Sequence, residues 1–134
     1  MRLDLKVNDQ PNKWSSILVV SNTDLQEGEY GSRMPSFALT QNGELEVTVS
    51  FDRNKITGWK SGKLGQTWFN LRLRHYDGEF QIYLDNVLEF CYWNRKPQEL
   101  VNTKLVLGNG PLVTNAEYRN LIFQGFSSGT FHFV

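Results

Sequence analysis

The chain has 134 residues, of which 40% are hydrophobic and 13% aromatic, enough to bury one core but too few for two comfortable domains. We therefore expect a single domain over residues 1–134. The 14 Lys and Arg residues balance 14 Asp and Glu residues, so no basic excess favours nucleic acid or anionic lipid, and neutral or mixed-charge partners fit better. The longest apolar run, Ile17 to Val20, is far shorter than the roughly 20 residues of a membrane-spanning helix, so a soluble chain without membrane insertion is expected.

Short runs typical of strands follow one another along the whole chain. The sequence predicts strands at Arg2–Val7, Trp14–Val20, Met34–Thr40, Leu45–Phe51, Thr67–Tyr76, Glu79–Asp85, Val87–Trp93, Thr103–Leu107, Tyr118–Phe123 and Thr130–Val134. Asn42-Gly43 and Asp77-Gly78 favour two-residue hairpin turns, and "LDNV" at 84–87 offers a third tight connection. Because apolar residues nowhere keep helical spacing for more than about two turns, little or no helix is expected. The pattern predicts an all-β sandwich or barrel.

Four longer stretches show no strand pattern and are predicted to be irregular. They are Ser21–Arg33, Asp52–Gln66, Asn94–Asn102 and Gly108–Ala116. Loops held by a rigid β-sheet scaffold are where binding residues usually collect.

The predicted hairpin at residues 67–86 has two unlike faces. Alternation places Phe69, Leu71 and Leu73 opposite Phe80, Ile82 and Leu84 as core residues. The other face carries Trp68, Asn70, Arg72, Arg74 and Tyr76, facing Glu79, Gln81, Tyr83 and Asp85. Arginine forks, amides and aromatic rings with a polar edge suit sugar recognition, so Asn70, Arg72, Arg74, Gln81 and Tyr83 are the candidate ligand-binding residues. The same residues also fit the ordinary polar outer face of a sandwich, and both interpretations stay open.

Three tryptophans have different expected roles. Trp59 lies in the predicted loop "NKITGWKSGK", where it either caps the sandwich edge or forms an exposed stacking platform for a ligand. In "CYWNRKP", either Tyr92 or Trp93 must face outward if the strand is regular, and Trp93 is taken as a candidate ligand-binding residue. Trp68 opens a strand after a loop and is expected to serve packing.

Several kinds of catalytic and metal site lack their motifs. The glycines do not form a phosphate-binding or nucleophile-elbow pattern, and two distant histidines with one cysteine do not give zinc-ligand spacing. The single cysteine, Cys91, is expected to be a small buried strand residue. Calcium stays open, because "SNTDLQEGEYGSR" holds Asp24, Glu27 and Glu29, although surface loops are often acidic for solubility. No other cofactor is expected, and Asp24 and Glu27 are the candidate metal ligands.

Glycoside hydrolysis is the remaining enzymatic alternative. It requires two carboxylates that straddle one glycosidic bond. Glu44 and Glu46 share a strand face, but Thr48 and Ser50 follow instead of a third acid. We therefore expect no enzyme, and a glycosidase stays open only if Glu46 approaches a second acid such as Glu79 or Asp85 in a cleft.

Several segments together resemble the strand signatures of one structural superfamily. They are, in chain order, "WSSILVVSN", "YGSRMPSFAL", "FALTQNGELEVTV", "GQTWFNLRLRHYDGEFQIYLDN", "NTKLVLGNG" and "AEYRNLIFQGF". This succession resembles the laminin-G-like and pentraxin-like modules of the concanavalin A-like superfamily, over roughly Trp14 to Phe123. The galectin signature and the usual disulfide near the C-terminal end of such modules are absent.

This resemblance implies a jelly-roll sandwich of antiparallel strands that binds other molecules, at the cell surface or outside the cell, within a larger protein. Two hypotheses follow. The chain is either a carbohydrate-binding module for neutral oligosaccharides, or an adhesion or assembly module that binds an extracellular protein through an exposed aromatic patch or an edge strand. Association into a homo-oligomer is left open.

Overall fold

The protein is described by a computed structural model for residues 1–9, 13–22, 35–51, 55–76, 78–93, 103–107 and 116–122. These residues contain the strands β1 (Arg2–Val7), β2 (Ser15–Asn22), β3 (Ser36–Leu39), β4 (Glu44–Phe51), β5 (Lys55–Lys63), β6 (Phe69–Tyr76), β7 (Glu79–Leu84), β8 (Val87–Trp93), β9 (Thr103–Leu107) and β10 (Ala116–Ile122). They contain no helix, and therefore none long and apolar enough to cross a membrane.

The strands form two five-stranded antiparallel sheets that pack on each other. The first sheet has the order β10-β1-β6-β7-β8, and the second has the order β5-β4-β3-β2-β9. Buried residues of both sheets form one hydrophobic cluster between them, with Leu3, Leu71 and Phe80 from the first sheet and Val20 and Phe37 from the second. The predicted all-β antiparallel sandwich is therefore confirmed.

The core face of the predicted hairpin is also confirmed. Leu71, Leu73, Phe80 and Ile82 are almost completely buried, whereas the residues between them are half-buried or exposed. Because side chains alternate faces along a strand, this burial turns Arg72, Arg74 and Gln81 away from the core, whereas His75 is buried opposite Phe80 on the core face. The register pairs Arg74 with Gln81, as the turn at Asp77-Gly78 predicts.

Hairpin turns lie at the predicted places, but the first is not the predicted two-residue turn. The N–H of Thr40 donates to the carbonyl of Glu44 at 2.9 Å across a three-residue loop, and Asn42 is not among the residues with positive φ. Gly43, in the turn from β3 to β4, has φ 80°, and its N–H donates to the carbonyl of Thr40 at 2.9 Å. Gly78 also has φ 80°. Asp85 and Asn86 have φ 49° and 68°, so both central residues of the β7–β8 connection adopt the left-handed conformation of a two-residue hairpin turn.

Two sequence-based expectations are wrong. The stretch Asp52–Gln66 is not irregular throughout, because β5 pairs with β4 along most of it. Its glycines Gly58 and Gly62 weaken the strand pattern, and pairing with β4 overrides this weak local preference. Cys91 is exposed rather than buried, because it lies opposite Gln81 on the polar side of the first sheet.

Other expectations concern residues outside the described part of the chain. The predicted strand Thr130–Val134 and most of the three other predicted loops belong to this group. At the remaining strands the predicted bounds differ from the observed ones by a few residues at most.

Candidate functional site

The candidate site is the side of the first sheet that points away from the core, called here the outer face. Residues directly opposite each other in antiparallel strands point to the same side, so the register assigns its members. The outer face comprises Arg2, Asp4, Lys6, Asn70, Arg72, Arg74, Tyr76, Glu79, Gln81, Tyr83, Leu88, Cys91, Trp93, Glu117, Arg119 and Ile122. It brings together six of the seven predicted ligand-binding residues, Trp59 being the exception.

Arg72 and Tyr83 lie opposite each other at the centre of this face. The guanidinium carbon of Arg72 lies over the Tyr83 ring, 4.1 Å from its centre, in a cation–π arrangement. The Nε atom of Arg72 is buried and has no hydrogen-bond partner among the described residues. An unsatisfied buried donor of this kind costs roughly 1–3 kcal/mol. Hydrogen bonding to neighbouring residues therefore does not explain why Arg72 occupies this position.

A chain of hydrogen bonds runs along the outer face of β7. The Tyr83 hydroxyl donates to Oε1 of Gln81 at 2.9 Å, and the Gln81 side chain is in turn hydrogen-bonded to Glu79. The Cys91 thiol donates to Oε1 of Glu79 at 2.6 Å. These contacts fix the orientation of the Gln81 amide. A planar hydrogen-bonding group needs a fixed orientation if it is to select one ligand geometry over another.

The same contacts shift the ionisation of two groups. The hydrogen bonds from Cys91 and Gln81, with the nearby charge of Arg74, lower the pKa of Glu79, so Glu79 is a carboxylate at neutral pH. The hydrogen bond to Glu79 and partial desolvation raise the pKa of Cys91 to about 11. Because the thiolate is the reactive form of cysteine, Cys91 is a weak nucleophile in this setting.

Two aromatic rings stand exposed at one end of the outer face. Tyr76 and Trp93 are 63% and 57% exposed, and each is the register partner of Glu79, which lies between them. Two strand spacings separate their backbones, about 10 Å. The guanidinium carbon of Arg74 lies 5.3 Å from the centre of the Tyr76 ring, beside this pair. Trp93, and not Tyr92, is therefore the outward residue, since Tyr92 packs against the core.

The other end of the outer face is tied together around Asp4. Its Oδ1 atom accepts a hydrogen bond from the Asn70 amide at 2.7 Å. Its Oδ2 atom accepts one from the Asn120 amide at 2.7 Å and one from Nε of Arg119 at 3.3 Å. These contacts, the two amide hydrogen bonds first, lower the pKa of Asp4. Asn70 thus lies on the expected face, where its side-chain amide donates to Asp4. Its role as a ligand contact stays a prediction.

Trp68 lies beside this cluster as a half-buried packing residue, as expected. The guanidinium carbon of Arg119 lies 4.0 Å from the centre of its ring, so Trp68 supports the arginine that binds Asp4.

Trp59 is separate from the outer face. It lies on β5 in the second sheet, opposite the buried Val47, and packs partly buried against the core. It therefore caps the core rather than standing in a loop.

The condition set for a glycosidase, that Glu46 approach Glu79 or Asp85 in one cleft, is not met. Glu46 alternates with the buried Leu45 and Val47, so it points away from the core on the second sheet, where it pairs with Lys60 at 3.4 Å. Glu79 points away from the core on the first sheet, so the core separates the two carboxylates. Asp85 lies in the β7–β8 turn of the first sheet, where its Oδ1 accepts a hydrogen bond from the Asn70 backbone at 2.8 Å.

The candidate calcium ligands Asp24 and Glu27 lie outside the described residues. Within the described ranges no three His, Cys, Asp or Glu side chains are grouped closely enough to hold a metal ion.

The outer-face residues that the sequence does not single out as ligand-binding candidates include Tyr76, Glu79 and Arg2. Tyr76 and Glu79 belong to the same predicted polar face, and the exposed position of Tyr76 next to the turn was the signal available. Arg2 joins Arg72 only through pairing of β1 with β6, about seventy residues later in the chain. No local sequence pattern announces that pairing.

No family model matches the chain, and no curated protein matches it in sequence. Several solved structures share its fold. The receptor-binding domain of botulinum neurotoxin D matches with a TM-score of 0.65 and 11% identity, over 87% of this chain and 30% of that one. The receptor-binding domain of a botulinum neurotoxin C/D mosaic serotype matches with a TM-score of 0.61 and 9% identity, over 87% and 30%.

The third structure, a tryptophan-to-alanine mutant of HCR/D, matches with a TM-score of 0.63 and 10% identity, over 87% of this chain and 31% of that one. The chain thus has the β-sandwich fold found in part of these proteins and spans about 30% of their length. At such low identity the likeness concerns the fold alone.

Proposed function

We propose that the chain is a non-catalytic binding module that recognises glycans through the outer face of the first sheet. The observation that carries this proposal is the exposed pair Tyr76 and Trp93, which flanks Glu79 and lies beside Arg74 and Gln81. An exposed ring can cover the apolar face of a sugar while neighbouring planar groups bond its hydroxyls. A purely structural outer face has no need for two large rings more than half exposed.

The solved structures of similar fold agree with a binding role, since two of them are receptor-binding domains. The resemblance to laminin-G-like modules of the concanavalin A-like superfamily implies the same role. We propose on this basis that the chain acts at a cell surface or outside the cell, as part of a larger protein.

Protein binding is the second candidate function, and the outermost strand of the first sheet favours it. Val87 and Leu88 of β8 are 58% and 48% exposed, on the same strand as Trp93. In the described residues β8 is paired on one side only, with β7. An edge strand with exposed apolar side chains is suited to pairing with a strand of another protein.

A glycan array separates the two functions. The purified chain is applied with calcium and again with chelator, beside Trp93→Ala and a matched Trp14→Ala control. Trp14 is 47% exposed and precedes β2 in the second sheet, so it controls for the loss of an exposed tryptophan elsewhere. We expect selective glycan binding that Trp93→Ala weakens at least tenfold and Trp14→Ala leaves unchanged, since truncating an aromatic anchor of a binding site typically costs about 2 kcal/mol or more and about 1.4 kcal/mol is tenfold.

The other outcomes of this array are equally informative. No binding to any glycan would refute glycan recognition and favour a protein partner at β8. Glycan binding that Trp93→Ala leaves unchanged would place the ligand away from the outer face at Trp93. Loss of binding with chelator alone would add a metal ion to the site.

A further inference from the structure

The charges on the outward side of β1 are paired at two positions and unpaired at a third. Lys6 forms an ion pair with Glu117 at 3.8 Å, and Asp4 is held by Arg119 and two amides. Arg2, the next outward residue, has no carboxylate or hydrogen-bond partner among the described residues and lies opposite Arg72. Like charges placed directly opposite each other destabilise a sheet, so this Arg2–Arg72 pair is a cost that the fold alone does not explain.

Tyr83 on β7 continues this pair into a row, and the two strands that flank the row, β10 and β8, are both irregular at its level. In β10 the register with β1 shifts between the partners of Arg2 and Asp4, where Asn120 has φ 54°. In β8 the register with β7 shifts between the partners of Ile82 and Tyr83. Such bulges are over-represented beside functional sites, where they redirect side chains. The row Arg2–Arg72–Tyr83 is therefore bracketed by two bulges on the outer face.

The chemistry of this row points to a negatively charged ligand group. A guanidinium presents a planar fork of donors that matches the oxygens of a carboxylate or a sulfate. The Arg72 guanidinium lies over the Tyr83 ring, and no carboxylate of the described residues pairs with it. An anion placed between Arg2 and Arg72 would also remove their mutual repulsion, which gives binding at this position an electrostatic advantage.

We propose that Arg2 and Arg72 bind the carboxylate or sulfate of an acidic glycan that lies on the outer face, an inference that rests on the proposed function. The balanced total charge of the chain favours neutral oligosaccharides, but the local arrangement of charges does not. Tyr76 and Trp93 then contact the sugar rings, and the two arginines select the charged substituent.

The test compares glycans that differ only in charge. Carboxylated and sulfated oligosaccharides are each measured beside the neutral oligosaccharide with the same sugar core, at low and at physiological salt. The variants are Arg2→Gln, Arg72→Gln and Arg72→Lys, and the control is Lys60→Gln, which removes a positive charge from the second sheet. An unfolding curve checks each variant, and the exposed Arg2 provides a probe that does not disturb packing.

We expect the acidic glycan to bind at least about tenfold more tightly than its neutral core, with affinity falling as salt is added. Arg2→Gln and Arg72→Gln should abolish this preference, Arg72→Lys should reduce it because the planar fork is lost, and Lys60→Gln should leave it unchanged. A preference for the carboxylated or for the sulfated member identifies the anion.

Contradictory results separate the inference from the proposed function. Equal binding of acidic and neutral glycans would overturn the anion site while glycan recognition stands. A preference that survives in both Gln variants would also overturn it. Binding to an acidic peptide, with none to any glycan, would overturn both.

Discussion

The hydroxyl of Tyr118 ties the two sheets together, and its removal tests the account of the sandwich. Tyr118 lies on β10 of the first sheet, and its hydroxyl donates at 2.9 Å to the backbone carbonyl of Ile17 on β2 of the second sheet. The register of β2 with β3 shifts between Ser16 and Leu18, so Ile17 is the extra residue of a bulge. Ile17 is only 1% exposed, and without Tyr118 its carbonyl would lose this donor in a buried place.

Tyr118→Phe removes the hydroxyl and keeps the ring. We expect the free energy of unfolding to fall by about 1–3 kcal/mol, the cost of leaving a buried carbonyl unsatisfied. For a domain of this size the melting temperature should fall by roughly 4 °C for each kcal/mol. Urea unfolding measures the change, and the midpoint should move while the slope with denaturant stays the same.

Tyr76→Phe is the matched control, because it removes a hydroxyl from a 63% exposed tyrosine of the same sheet. Its effect should stay within about 0.5 kcal/mol. If Tyr118→Phe cost no more than Tyr76→Phe, the Tyr118–Ile17 hydrogen bond would not stabilise the contact between the sheets, and this reasoning would be refuted.

Three further predictions concern single groups. Asp4→Asn should lower the free energy of unfolding at pH 7. Because the pKa of Asp4 is lowered in the folded chain, the stability that its carboxylate contributes is lost as pH falls below about 4. The melting curves of the wild-type chain and of Asp4→Asn should therefore converge in that acid range. The Cys91 thiol, whose pKa is raised to about 11, should react with iodoacetamide at pH 8 on the order of 100-fold more slowly than in the urea-unfolded chain, and Glu79→Gln should restore much of the rate. Equal rates in the folded and unfolded chains would contradict the Cys91–Glu79 hydrogen bond. Gly43→Ala should cost about 1–2 kcal/mol in urea unfolding, because φ 80° is strained for any residue with a Cβ atom.

The sequence predicts those features that depend on neighbouring residues. The alternation of Leu71 and Leu73 with Arg72 and Arg74, and the turn that follows, are enough to predict the faces and the register of the β6–β7 hairpin. Short tight turns constrain register, so local information suffices there.

Features that depend on distant pairing are not predictable in this way. Arg2 becomes part of the outer face only because β1 pairs with β6. The tendency of cysteine to be buried gives the wrong face for Cys91, since the pairing of β8 with β7 decides which way its side chain points. The glycines of β5 weaken its strand pattern in the sequence, and pairing with β4 is what makes this segment a strand.

The most direct test of the central proposal is to map a bound glycan onto the sheets. The glycan that binds most strongly on the array is titrated into isotopically labelled chain, and backbone amide and tryptophan indole resonances are followed by NMR. The proposal predicts saturable shifts concentrated at Arg72, Arg74, Gln81 and the Trp93 indole, with little change at Glu46 or Lys60 on the second sheet. Saturable shifts centred on the second sheet, with the outer face unchanged, would contradict it.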